Sequence, residues 1–197
     1  MNSNRDIRKV CDSYGLFLHL DGARLANACV KTGKTLKEYA EPFDTLSICL
    51  SKSLGCPIGS MIVGSNKVIQ RAKHFRKLFG GGWRQAGILA SAALFALDHH
   101  WDRLQEDHDN ASYLQQRLTA LGFAVDFPTE TNQVWVNSEP LGVTFDELAA
   151  ECRKKGLILP GGMHSCRLVT HLQTSRESCE LLVTTIEQFL ASRATQS

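Results

Sequence analysis

No apolar run in this sequence approaches the roughly 20 residues that a bilayer-spanning helix needs. The opening Met1-Asn2-Ser3-Asn4-Arg5-Asp6 is polar and lacks the apolar segment of a secretory signal. Charge of one sign is lacking too: 22 Lys and Arg stand against 20 Asp and Glu, a formal net charge of +2. That near-balance gives no electrostatic case for nucleic acid or an anionic membrane as a partner. The one basic-looking stretch, Lys67 to Lys77, reads as a helix face. No Cys-x-x-Cys pair occurs among the seven cysteines, at positions 11, 29, 49, 56, 152, 166 and 179. An odd, scattered set reads as reduced thiols in the cytosol or an organellar matrix, most of them small buried hydrophobes, with a cytoplasmic location the one expected. The histidines form no metal signature, so no metal is expected. His99 and His100 are adjacent on a helix and cannot face one ion together, while His74 and His108 read as surface residues. There is no internal repeat and no low-complexity segment.

What remains is an ordinary soluble composition, 43% hydrophobic and 21% charged over 197 residues, enough for one or two domains. A short helix is expected near Ile7 to Tyr14, then an apolar strand, Leu16 to Leu20, ending at Asp21-Gly22. A helix from Ala23 to Lys31 follows, then strands Thr45 to Leu50 and Ser60 to Val63. Continuous apolar strands of this kind predict a sheet covered on both faces. Val68 to Leu78 has helical spacing, and Gly80-Gly81-Gly82 interrupts it. Ile88 to Leu97 is apolar nearly all round, which predicts a buried helix. Glu106 to Leu121 is amphipathic and stops at Gly122. Beyond it lie short strands at 123–127, 134–137, 157–159 and 167–171. Thr144 to Glu147 is a capping box opening a helix to about Lys155, and residues 174–177 cap a last helix to about Ala191. The expected architecture is an α/β layer over residues 1–105 and a smaller α+β domain over 106–197.

Four places have side chains suited to chemistry. Lys52 follows a buried strand, and a lysine enclosed by apolar groups becomes a neutral amine able to attack an aldehyde. A strand-end lysine in solvent is the competing reading. Asp21 ends another apolar strand, where ligands of α/β sheets bind. It suits a protonated pyridine nitrogen, though Asp-Gly before a helix also suits a turn or N-cap. Arg24 lies about one turn on. Gly80-Gly81-Gly82-Trp83-Arg84-Gln85 is able to present backbone N–H groups and Arg84 to an anion, with Lys77 in the same neighbourhood. A flexible loop and a solvated lysine are the alternatives. Arg167, in an otherwise apolar strand, needs a partner if buried: a substrate carboxylate or a nearby acid.

The order of these pieces resembles the low-specificity L-threonine aldolases, in the aromatic amino acid beta-eliminating lyase/threonine aldolase family. His19-Leu20-Asp21-Gly22-Ala23-Arg24 is followed by Leu50-Ser51-Lys52-x-Leu54-Gly55. Then come Gly80-Gly81-Gly82-x-Arg84-Gln85-x-Gly87, Arg103 to Asn110, and Arg167-Leu168-Val169-Thr170-His171. The likeness runs from about Phe17 to the last helix. It implies the fold type I architecture of pyridoxal 5'-phosphate (PLP) enzymes, here a partial large domain plus a small α+β C-terminal domain. By that similarity Lys52 is the Schiff-base lysine, Asp21 pairs with the pyridine nitrogen, and Arg24 contacts the ring's oxygen side. Arg167 holds the amino-acid carboxylate, while Lys77 and Arg84 reach a phosphate or substrate region. The implied reaction cleaves the Cα–Cβ bond of a small β-hydroxy-α-amino acid, threonine giving glycine and acetaldehyde, in a homo-oligomeric dimer or tetramer.

This sequence departs from the family pattern at Ser53, Cys56 and Trp83, and along Leu159 to Ser165. Only about twenty residues precede Asp21, whereas the family has a long segment there bearing a phosphate loop and two active-site histidines. The resemblance therefore implies that strands of the large sheet are missing, leaving edges and apolar surface exposed. Two other readings stand beside the aldolase: a related PLP β-eliminating lyase, and an inactive interaction fragment that pairs with a full-length paralogue.

Overall fold

The computed structural model describes residues 3–195. Met1 and Asn2 of the polar N-terminus, and residues 196–197 of the expected second domain, lie outside them. The chain divides between Leu104 and Gln105 into two compact units.

The first unit contains α1 (Ser3–Ser13), β1 (His19–Gly22), α2 (Leu25–Thr32), α3 (Leu36–Ala40), β2 (Thr45–Cys49), β3 (Ser60–Gly64), α4 (Asn66–Leu78) and α5 (Gly87–His99). The sheet order is β1-β2-β3, with β1 and β2 parallel and β3 antiparallel. The first strand begins three residues later than its apolar run predicts. Its upstream polar groups have other partners: the Leu16 carbonyl accepts from Arg8 at 3.0 Å, and the Leu18 amide donates to the Asp44 carboxylate at 2.7 Å. Asp44 also receives the Arg8 guanidinium at 2.8 Å, which ties α1 to the sheet. The Leu18 amide and Arg8 together hold the Asp44 carboxyl below its usual range. α2 ends at Gly33 with φ +68°, a left-handed C-cap. α3 was not anticipated; a Thr35–Glu38 capping box starts it.

Leu25, Cys29 and Leu46 form one small core, and Ala26, Leu50, Leu54, Cys56, Ala93, Ala96 and Leu104 another. The expected two-sided burial of the sheet is not found. β3 is exposed along its length, including Met61, Ile62 and Val63. α5 forms where expected, yet only Ala93 and Ala96 are buried, while Ile88 is 78% exposed and Phe95 55%. Its small side chains meet the unit's core, while Ile88, Leu94, Phe95 and Leu97 stay exposed.

The second unit starts within α6 (Leu104–Ala120) and continues through β4 (Ala124–Phe127), β5 (Gln133–Asn137), α7 (Phe145–Lys154), β6 (Ser165–Val169) and α8 (Arg176–Ala194). The strands form an antiparallel sheet in the order β4-β5-β6. Alternation puts Val134, Val136, Cys166 and Leu168 on its inner face. They join Leu118, Phe145, Leu148, Val183 and Ile186 in one core; each such large side chain contributes about 1.5–3 kcal/mol on full burial. The Thr144–Glu147 capping box forms as read, and Ser175 is the N-cap of α8, accepting from the Ser178 amide.

Residues 157–159 are not the expected strand. Gly156 at φ +77° turns the chain, the Leu157 amide closes onto the Cys152 carbonyl at 3.0 Å, and Ile158 is left 93% exposed. His108, read as a surface residue, is buried.

Candidate functional site

β1 and β2 run parallel with Asp21 opposite Ser47 and Gly22 opposite Ile48, so their carboxyl ends lie side by side. Asp21 is the last residue but one of β1, at the carboxyl end of the strand as expected. One of its carboxylate oxygens accepts the Ala23 amide at 3.1 Å, and the other makes no hydrogen bond among the described residues. Gly22 must be glycine, because a Cβ there would run into the Ser47 carbonyl of β2. A side chain at that position would force β1 away from β2 and carry Asp21 with it.

Past β2 the chain is pinned on both sides of Lys52. The Leu50 amide donates to Gly59 at 3.0 Å, the Cys56 amide returns to the Leu50 carbonyl at 3.1 Å, and the Gly55 amide donates to the Lys52 carbonyl at 2.8 Å. Leu54 is buried, and its carbonyl meets His100 Nδ1 at 2.7 Å. Lys52 thus sits on a fixed main chain, but the apolar enclosure expected for its amine is absent. The side chain is exposed and has no hydrogen bond or ion pair among the described residues. The buried neighbours are Ser53 and Leu54 instead.

Cys49 was missed by the sequence reading. Its Sγ lies 3.6 Å from the Ser51 hydroxyl, and β2–β3 pairing sets it opposite Ser60. Burial alone would push this thiol up; hydrogen bonds from Ser51 and Ser60 and the Lys52 charge outweigh that and hold it below its usual range. The signal was a cysteine three residues before the lysine with serines around it. His19, also on β1, meets Thr45 across the strand pair at 2.8 Å and acts as a tether.

Arg24 is half-buried at the N-cap of α2. Lys77, in the last turn of α4, and Arg84, beyond the three glycines, are both exposed. Gly82 packs on the Lys77 stem, where a Cβ would come within 3.3 Å of Cγ. That places Lys77 and Arg84 around one junction, but neither is bonded to Asp21, Arg24 or Lys52 among the described residues. Among the described residues, no group of three or more His, Cys, Asp or Glu side chains is placed to hold a metal ion.

In the second unit Arg167 is exposed, on the face opposite the core. No acid pairs with it among the described residues; its guanidinium lies 5.5 Å from the Trp135 ring centre. Trp135 is its direct neighbour on β5, a partner that strand alternation alone was able to suggest. The segment after Arg167 is fixed by buried polar groups. The Thr170 hydroxyl donates to the Asp107 carbonyl at 2.6 Å, and Asn132 Nδ2 donates to the Thr170 carbonyl at 2.8 Å. Asn110 Nδ2 donates to the Thr174 carbonyl at 3.0 Å. The Arg103–Asn110 motif therefore has a structural use.

The family described as Beta-eliminating lyase matches residues 1–139. The low-specificity L-threonine aldolase of Escherichia coli K12 is 43% identical over 176 residues, which are 89% of this chain and 52% of that protein. The Saccharomyces cerevisiae low-specificity L-threonine aldolase is 41% identical over 175 residues, 88% of this chain and 44% of its own. The chain spans about half the length of the curated relatives it matches. The threonine aldolase structure from Leishmania major superposes with a TM-score of 0.74 at 23% identity, over 95% of this chain and 56% of that one. At that identity the superposition shows a shared fold.

Proposed function

Because the chain belongs to the beta-eliminating lyase family, we propose that it is the lysine-bearing part of a PLP-dependent aldehyde-lyase of the threonine aldolase type. The substrate class is a small β-hydroxy-α-amino acid, split between Cα and Cβ into glycine and an aldehyde, acetaldehyde in the case of threonine. The observation that carries the reading is the pair of parallel strand ends. They offer an amine at Lys52 and a carboxylate oxygen at Asp21, neither taken by a hydrogen bond among the described residues. That donor set fits PLP, which needs an amine for its aldehyde and an anion for its ring nitrogen.

PLP, when bound, supplies an electron sink for the pair released from the breaking bond. Lys52 would hold the group covalently through its side-chain amine. Asp21 keeps a proton on the ring nitrogen by its charge. Arg24 would donate to the oxygen side of the ring, and Lys77 and Arg84 would bring positive charge to a phosphate or to the substrate. Arg167 donates to the amino-acid carboxylate, in the bidentate geometry a guanidinium favours.

Exposed apolar side chains on α5 and β3 support a homo-oligomer, dimer or tetramer, as the working form. Seven free cysteines support a cytoplasmic setting. Among the described residues, no helix is long and apolar enough to cross a membrane.

The test is the visible absorption of the full chain with added PLP, before and after borohydride, followed by peptide mapping. A reducible band and a PLP adduct on Lys52, both lost in Lys52→Ala, are expected. A folded chain with no adduct overturns the reading and leaves the family's chemistry to longer relatives.

A further inference from the structure

The first unit contains an open cleft of about 670 Å³ that the lyase reading does not use. The end of α2 forms one wall, residues 34–37 the second, and Leu97 with residues 101–102 the third. This volume lies within the range of about 300–1,000 Å³ typical of small-molecule sites. Its frame is preformed. Gly33 turns the chain at φ +68°, and the Thr35–Glu38 capping box fixes the start of α3. The Thr32 hydroxyl donates to the Ala28 carbonyl at 2.8 Å and lies 3.1 Å from the Tyr39 hydroxyl, which closes the corner between the two helices. On the third wall Trp101 packs against both small cores of the unit, and its carbonyl accepts the Leu104 amide at 3.2 Å.

Val30, Leu36, Leu97 and Trp101 give the cleft its apolar lining, and Lys34, Lys37 and Asp102 its charges. Lys34 lies 5.8 Å from the Tyr39 ring centre and beside Glu38, so its charge is partly taken. The side chains of Lys37 and Asp102 have no hydrogen bond or ion pair among the described residues, with each other or with a third group. One unspent cation and one unspent anion thus border the same apolar lining.

We propose that this cleft binds a zwitterionic α-amino acid with an aromatic or branched apolar side chain, its carboxylate on Lys37, its ammonium on Asp102 and its side chain against Trp101 and Leu97. Charge complementarity selects the occupant. A plain anion would meet Asp102, a plain cation would meet the two lysines, and a neutral molecule would leave both charges without a counterion. Exposed ion pairs are individually weak, so binding draws on both of them together with the apolar contact. The cleft contains none of Asp21, Arg24, Lys52, Lys77, Arg84 and Arg167, and the inference is independent of the lyase reading.

The full chain, without PLP, is titrated with L-phenylalanine, with 3-phenylpropionate, which lacks the ammonium, and with 2-phenylethylamine, which lacks the carboxylate. Amide NMR shifts of Gly33, Leu36 and Asp102 report both affinity and location. L-Phenylalanine is expected to bind about threefold tighter than either analogue, the size of one exposed ion pair. Lys37→Gln should remove its advantage over the amine, and Asp102→Asn its advantage over the acid. Both side chains are exposed, so neither substitution disturbs the fold. Arg167→Gln should change nothing, which separates this cleft from an amino acid held at the proposed lyase site. Equal binding of the three probes, no shift at the three amides, an advantage indifferent to Lys37→Gln and Asp102→Asn, or one lost in Arg167→Gln overturns the proposal. Because no PLP is present and Lys52 takes no part, failure here is separate from failure of the Lys52 adduct.

Discussion

Arg167 on β6 and Trp135 on β5 face each other across the ladder, with the guanidinium carbon 5.5 Å from the ring centre. That distance falls inside the range of about 6 Å for a cation–π contact, which is worth about 0.5–1 kcal/mol at an exposed site. A double-mutant cycle with Trp135→Leu and Arg167→Gln should show coupling of that size in urea unfolding. Strict additivity would mean that the two side chains are merely adjacent.

The Thr170 hydroxyl is a stronger constraint, because it is buried and closes on the Asp107 carbonyl at 2.6 Å. Thr170→Val keeps the shape but strands that carbonyl, which costs about 1–3 kcal/mol. Chemical denaturation should report the loss. The amides of His171 and Thr174 should also exchange faster with solvent, since the segment depends on the same bonds.

These two cases mark what sequence could reveal. The Thr144 capping box and the α6 stop at Gly122 depend on neighbouring residues, so they were legible. The Asp21 and Lys52 positions followed from strand ends and from family order. The partners of Leu18 and Thr170 come from Asp44 and Asp107, distant in sequence, and no local pattern announces them. The burial of α5 misled for another reason. An all-round apolar helix records the surface it is built to cover, and most of that surface is not supplied by the described residues. The run 157–159 has strand composition but is spent on a turn and a cavity wall.

Asp21→Asn tests the carboxylate without disturbing the turn. The amide oxygen still accepts from Ala23, and the side chain is exposed, so stability should stay within about 0.5 kcal/mol. The PLP absorption band should weaken sharply under the same loading. An unchanged band would remove Asp21 from the cofactor's neighbours.

Glu147 accepts from the Thr144 amide and hydroxyl and from Arg193, and those bonds hold its carboxyl below the usual range. A depressed folded value means the contribution is complete above the unfolded carboxylate range and lost as pH falls through the folded one. Glu147→Gln should therefore differ most from wild type at neutral pH and converge with it in acid. Thr144→Ala, which removes the cap itself, should cost about 1 kcal/mol. An Arg193-dependent part should shrink with salt, since that pair is exposed.

Cys49 should be the most readily alkylated thiol of the chain. Six of the seven cysteines are buried, and burial pushes Cys166 up to about 11, while burial and the Glu151 charge do the same for Cys152. Cys49 is only half-buried, and its thiol is held below the ordinary range by the Ser51 and Ser60 hydrogen bonds and the Lys52 charge. Alkylation needs the thiolate, so both accessibility and charge favour this site. Iodoacetamide at mildly alkaline pH, with peptide mapping over time, should label Cys49 before Cys152 or Cys166. Ser51→Ala removes a donor to the sulfur and should slow labelling at constant pH by raising the thiol. Lys52→Gln should slow it as well, since the charge that favours the thiolate is gone. Labelling of Cys152 at the rate of Cys49 would mean that the second unit opens faster than its buried core allows.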